Sequence, residues 1–166
     1  MTTLIIDFNT KAVYTDSRST SSKDGTVAKD FDEDCKKAYY VGDGKVLVGC
    51  GCYDTIKKAA NKLLSNEGLD FLPKTKEYAT IYVVSKKGDN VEVEQYETKK
   101  KSWLTGNYSW GRVYKQLTTK DSWIADGSGS SFAAGALKQG ATPEEAVNVA
   151  SMLDEYTNNV VQKIEL

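Results

Sequence analysis

Three times along this chain, two β-patterned runs flank a short polar turn, and that leaves few folds open. Thr3-Leu-Ile-Ile-Asp-Phe8 and Lys11-Ala-Val-Tyr-Thr-Asp16 meet at Asn9-Thr10. Lys37-Ala-Tyr-Tyr-Val41 and Lys45-Val-Leu-Val-Gly49 meet at Gly42-Asp43-Gly44. Thr80-Ile-Tyr-Val-Val-Ser85 and Val91-Glu-Val-Glu-Gln-Tyr96 meet around Lys87-Gly88-Asp89-Asn90. Runs closed by turns this short pair antiparallel, so the β part of the fold is built of hairpins.

Helical periods fall between and after these hairpins. From Asp54, residues Ile56, Ala59, Ala60, Leu63 and Leu64 recur at helical spacing and predict an amphipathic helix ending before Gly68. Trp123-Ile-Ala-Asp126 enters Gly127-Ser-Gly-Ser130, with a helix expected over Ser131 to Lys138. Thr142-Pro-Glu-Glu145 is a helix start: Thr142 as N-cap, Pro143 at N1, Glu145 completing a capping box. That helix carries Ala146, Val149, Ala150 and Leu153, and Val160 to Leu166 reads as a last strand. Ser17 to Asp34 reads as a polar loop, whose acids Asp30, Asp32, Glu33 and Asp34 form a solvated face. Strands, one helix, strands, two helices and a strand predict an α+β fold with antiparallel sheets. At 166 residues, 40% apolar and 27% charged, one domain over 1–166 is expected.

Composition removes several function classes. Lys+Arg of 22 against Asp+Glu of 23 gives a net charge of −1, with no global pull towards nucleic acid or anionic membrane. No apolar run approaches the ~20 residues that span a bilayer. The N-terminus has no basic region ahead of its apolar run, so a cytoplasmic protein is expected. The chain contains no histidine, which excludes Ser-His-Asp and Cys-His hydrolysis, His general bases and His-ligated metals. Cys35, Cys50 and Cys52 are odd in number without a CxxC, and read as reduced core cysteines rather than a zinc site. No metal or cofactor is expected.

A base other than histidine is available at Thr2. Initiator Met is normally removed before a small residue, leaving Thr2 with a hydroxyl nucleophile and an α-amine on one residue. That amine has a reference pKa of about 7.7–8, so much of it is neutral near neutral pH. It stands in for the missing histidine. A turn at Asn9-Thr10 makes opposed residue numbers sum to about 19 or 20, which sets Thr2 across from Ser17 or Arg18 with Asp16 adjacent. The second hairpin centres on Asp43 and sets Lys37 opposite Gly49, beside Cys50 and Gly51. A terminal Thr, an Asp, a Lys and a bent Gly segment make a nucleophile, a cation and an oxyanion-hole set.

With these residues in view, the sequence resembles the proteasome β-subunit and HslV family of N-terminal threonine hydrolases. Met-Thr-Thr-Leu-Ile-Ile fits that family's mature terminus. Thr15-Asp16-Ser17-Arg18-Ser19-Thr20 resembles its Asp-Ser-Arg-Ala-Thr motif, and Lys36-Lys37 falls where its catalytic lysine sits. Gly44-Lys-Val-Leu-Val-Gly49 is close to the HslV version, Gly127-Ser-Gly-Ser130 matches the Gly-Ser-Gly motif, and Asp154-Glu-Tyr-Thr-Asn158 resembles the segment that closes the active site. The resemblance implies a four-layer αββα sandwich and a threonine-type peptidase that works through an acyl-enzyme. It implies Thr2 as nucleophile, Asp16 holding Lys37, and Lys37 lowering the hydroxyl's proton affinity. The backbone N–H at Gly51, or at Cys50 in the alternative register, would take the oxyanion. Ser128, Asp154 and Thr157 would position the amine and a water. It also implies a homo-oligomeric ring, an ATP-dependent unfoldase as partner, and a peptide or unfolded protein as substrate.

Two stretches depart from the family pattern. The second long helix expected after the first is lost or very short, since Gly68-Leu-Asp-Phe-Leu-Pro73 leads almost directly to the Thr80 strand. Thr98 to Ser122 looks inserted, with six Lys/Arg, the single acid Asp121, and the aromatics Trp103, Tyr108, Trp110 and Tyr114. It reads either as an edge hairpin with a solvated lysine face or as a contact surface for protein or single-stranded nucleic acid. The rival to the peptidase is therefore a catalytically silent assembly or interaction protein. An amidase acting on a small molecule is a third reading.

Overall fold

The computed structural model describes residues 2–20, 31–32, 34–69, 77–100, 108–115 and 122–166. Asp30 and Glu33, most of the stretch in which the second helix was expected, and parts of the basic-aromatic segment lie outside the described residues. The chain forms two compact units, residues 1–37 with 119–165 and residues 38–118 with Leu166.

The first unit is a four-stranded antiparallel sheet carrying two helices. Strands β1 (Thr3–Asp7), β2 (Ala12–Asp16), β10 (Trp123–Gly127) and β11 (Val161–Glu165) lie in the order β10-β1-β2-β11. The first hairpin pairs Leu4 with Thr15 and Asp7 with Ala12, so opposed numbers sum to 19, one of the two registers the turn allows. The Asp7 carboxylate fixes that choice. It accepts the N–H groups of Asn9 (3.3 Å) and Thr10 (3.1 Å) and the Thr10 hydroxyl (2.5 Å). A slip by one residue would turn every side chain of β2 to the opposite face.

Every residue of β1 and β2 is buried, which explains their nearly continuous apolar sequence. Ile5, Ala12 and Tyr14 pack against Ala133 of α2 (Ser130–Lys138) and Ala146, Val147 and Ala150 of α3 (Pro143–Leu153). The capping box at α3 is complete: Thr142 Oγ1 accepts from Glu145 N–H at 3.3 Å, and Glu145 Oε2 accepts from Thr142 N–H at 2.8 Å. The expected helix face is only partly right. Val147 is buried, whereas Leu153 is 60% exposed, because the last turn of α3 runs past the apolar cluster. The polar loop after β2 also holds a short ladder, β3 (Ser19–Thr20) with β4 (Phe31–Asp32). Two residues per strand are too few for an alternating pattern to register in sequence.

The second unit is a five-stranded antiparallel sheet in the order β5-β6-β7-β8-β9 with one helix. Its strands are β5 (Ala38–Tyr40), β6 (Lys45–Gly51), β7 (Ala79–Lys87), β8 (Asn90–Lys100) and β9 (Tyr108–Lys115). Leu47, Ile81 and Val83 of the sheet pack with Ile56, Ala59 and Ala60 of α1 (Tyr53–Leu64). Leu64 is 54% exposed, again at a helix end beyond the cluster. The basic-aromatic segment contributes β9, which pairs with the end of β8 through a register shift between Glu97 and Thr98. Among the described residues β9 is an edge strand, as the hairpin reading expected. No helix among the described residues is long and apolar enough to cross a membrane.

Candidate active site

Two buried carboxylates organise the polar end of the first unit. Asp16, the last residue of β2, is completely buried, and Lys37 is 4% exposed. Asp16 Oδ1 accepts from the Lys37 ammonium at 2.8 Å and from the Thr3 N–H at 2.8 Å. Asp16 Oδ2 accepts from Arg18 N–H at 3.0 Å. One oxygen atom therefore joins the lysine cation to the peptide that links Thr2 to Thr3. Lys37 and Asp16 form a desolvated ion pair, in which each charge is tolerable only because the other is there.

Asp154, at the C-cap of α3, holds hydroxyls instead. Its Oδ2 accepts from Ser128 Oγ at 2.6 Å and Thr157 Oγ1 at 2.7 Å, and its Oδ1 accepts from Tyr156 N–H at 3.2 Å. Thr157 Oγ1 and Thr3 Oγ1 are 2.7 Å apart. A hydroxyl has one proton, and that of Thr157 goes to Asp154, so Thr3 is the donor to Thr157. The result is a directed chain from Thr3 through Thr157 to Asp154, with Ser128 entering from the other side.

The Gly127-Ser-Gly-Ser130 sequence has a steric reason to be there. Gly127 pairs with Thr3 at φ +94°, and a Cβ on it would sit 1.8 Å from the Thr2 carbonyl oxygen. A Cβ on Gly129 would sit 2.1 Å from Thr3 Oγ1 and 3.0 Å from Thr157 Oγ1. The two glycines let the β10–α2 connection close over the first residues of the chain, with Ser128 between them on Asp154. Thr2 is 4% exposed beneath this connection.

All six residues expected to do catalysis, Thr2, Asp16, Lys37, Ser128, Asp154 and Thr157, lie in this unit. Asp16 meets Lys37, Ser128 and Thr157 meet Asp154, and Thr3 connects both groups to Thr2. Cys50 and Gly51 end β6 in the second unit, where Cys50 is buried and Gly51 has φ +104°.

Sequence reasoning missed Thr3, Asn158 and Gln162. Asn158 takes Ser17 N–H on Oδ1 at 3.0 Å and gives Nδ2–H to Ser17 Oγ at 3.0 Å, pinning the residue after Asp16. Gln162 bonds the backbone on both sides of Lys36. Its position in an ordinary strand pattern carries no sign of this. A cleft of about 520 Å³ opens beside the network, lined by Thr157, Asn158, Arg18, and Asn148, Ser151 and Met152 of α3. Among the described residues no three His, Cys, Asp or Glu side chains are placed to hold a metal.

This architecture occurs among solved structures. Eukaryotic HslV from Trypanosoma brucei matches over 98% of this chain and 97% of its own, with a TM-score of 0.56 and 16% identity. The chain has the HslV fold. The α+β class with antiparallel sheets, expected from the hairpins, is the class observed. No protein-family model matches the sequence, and no curated protein matches it. At that identity the likeness to HslV carries the fold, and the chemistry rests on the side chains described above.

Proposed function

We propose that this protein is a threonine-type peptidase whose nucleophile is Thr2, exposed by removal of Met1. The observation that carries the reading is the single Asp16 oxygen shared by the Lys37 ammonium and the Thr3 N–H. It ties a buried cation to the peptide that joins Thr2, the residue supplying both nucleophile and base, to Thr3.

In this mechanism the Thr2 α-amine takes the proton of the Thr2 hydroxyl, and Oγ1 attacks a peptide carbonyl carbon. Lys37 favours the alkoxide electrostatically, and its desolvation makes that effect larger than it would be in water. The carbonyl oxygen becomes an oxyanion, which N–H donors must stabilise. The ammonium formed on Thr2 protonates the leaving nitrogen, the C–N bond breaks, and an ester remains on Oγ1. The amine then takes a proton from water, hydroxide adds to the ester carbon, and the bond from that carbon to Oγ1 breaks; the ammonium returns its proton to Oγ1 as the acid product leaves. Asp154, with Ser128 and Thr157, holds the amine and that water.

The family resemblance in the sequence motivates assembly of identical subunits into a ring, with unfolded chains supplied by an ATP-dependent unfoldase. Light scattering on the purified protein tests the ring. Hydrolysis of a fluorogenic peptide by the wild type and by Thr2→Ala tests the chemistry. The wild type should turn over, and the variant should be inactive at unchanged oligomeric state. Equal hydrolysis by both would remove Thr2 from the mechanism. No hydrolysis by the processed wild type would leave an interaction protein on this fold.

A further inference from the structure

Lys37 stands one residue before β5, and its backbone N–H is held by one side-chain amide. Gln162 Oε1 accepts from Lys37 N–H at 3.2 Å, and Gln162 Nε2 donates to the Cys35 carbonyl at 3.0 Å. Cys35 N–H in turn donates to the Ser17 carbonyl at 2.9 Å. A carboxamide holds its oxygen and its N–H groups in one plane, and here the oxygen takes Lys37 N–H while one N–H goes to the Cys35 carbonyl.

Gln162 belongs to β11, where it pairs with Thr15 while its neighbour Val161 pairs with Asp16. The contacts therefore close a circuit. Asp16 is held in β2, β2 is registered to β11, Gln162 of β11 grips the Lys37 backbone, and the Lys37 ammonium returns to Asp16 at 2.8 Å. A free lysine side chain has rotamer entropy to lose on being fixed. The two bonds of this amide, to the Lys37 N–H and the Cys35 carbonyl, fix where the Lys37 side chain starts.

We propose that Gln162 is the positioning residue for Lys37, holding the cation at the distance from Thr2 that the reaction needs. The catalytic part of this inference rests on the peptidase reading; the placement of Lys37 does not. The test uses Gln162→Met, which keeps length and removes both bonds, and Gln162→Glu, which keeps an acceptor for Lys37 N–H and loses the donor to Cys35. For Gln162→Met, kcat should fall about tenfold to a hundredfold with KM within about twofold, since small misplacements of catalytic groups carry costs of that size. The acidic limb of its kcat–pH profile should move to higher pH. With the cation displaced, the Thr2 amine keeps its proton to higher pH and becomes a base later. Gln162→Glu should recover part of kcat.

A second readout needs no hydrolysis. The Lys37 ammonium signal in a proton–nitrogen NMR spectrum should be protected from water exchange in the wild type and lost in Gln162→Met. If the signal behaves this way but no variant or wild type cleaves peptides, the peptidase reading fails and the positioning role stands. An unchanged Lys37 signal, or a fall in kcat with the pH profile unmoved, would overturn the positioning role.

Discussion

Asp16 and Asp154 are the same residue type, both buried, both at the end of a regular element, and they do different work. Asp16 closes β2 and balances an ammonium, with backbone N–H groups as its other partners. Asp154 closes α3, and its partners are two hydroxyls and an N–H. The first arrangement holds a charge in place, and the second sets the direction of a proton chain. Environment assigns the role, since a charge is worth most where water is excluded and a hydroxyl can be aimed only by what it donates to.

The largest expected effect separates the two. Lys37→Met should leave the Asp16 carboxylate buried without its counter-charge and lower stability by about 3–5 kcal/mol in urea unfolding, with hydrolysis abolished. A near-neutral result would mean that Asp16 finds water or another cation, and the contrast with Asp154 would fail. Next is Gly129→Ala, whose Cβ would meet Thr3 Oγ1 at 2.1 Å. It should cost about 1–3 kcal/mol in the same assay, as overpacking does, and should disturb the hydroxyl chain before the ion pair. Asp154→Asn keeps the size and an acceptor but loses the charge-assisted bonds. It should cost about 1–2 kcal/mol and reduce hydrolysis by more than that loss of stability explains.

The smallest effect serves as the control. Thr142→Ala removes the N-cap of α3, at the opposite end of the helix from Asp154, and should cost about 1 kcal/mol without altering hydrolysis of the folded protein. Hydrogen bonds from the Thr142 backbone and hydroxyl hold the Glu145 carboxyl below its ordinary value of 4.5. A carboxyl lowered in the folded state stabilises above its unfolded value, and the contribution is lost as pH falls through the folded one. Acid titration of the melting temperature should therefore show a small loss below about pH 4.5 that is absent in Glu145→Gln. If Thr142→Ala lowers hydrolysis as much as Asp154→Asn does, the carboxylate's position depends on the whole helix rather than on its local bonds.

What was legible in the sequence depended on whether a residue's role was local. The Asn9-Thr10 turn limited the first hairpin to two registers, and the capping box at Thr142 marked the start of α3 to the residue, because each uses atoms a few positions apart. Helix faces were legible at their centres but not at their ends, as Leu64 and Leu153 show, since periodicity cannot say where the opposing sheet stops. Asp16 and Lys37 were nominated by hairpin registers, Ser128, Asp154 and Thr157 by motif resemblance, and the structure joins them into the Asp16 and Asp154 clusters. Gln162 was invisible, and Asn158 stood in the Asp154–Asn158 segment without a role of its own. Each satisfies a backbone group more than a hundred residues away in sequence, at separations of 125 and 141, and nothing near either one records that partner.

The most direct test is the intact mass of the purified protein, read with a covalent probe directed at N-terminal threonine. The account predicts a mass lacking Met1 and a single adduct that disappears in Thr2→Ala. Retained Met1 with no adduct, even after aminopeptidase treatment, would contradict it.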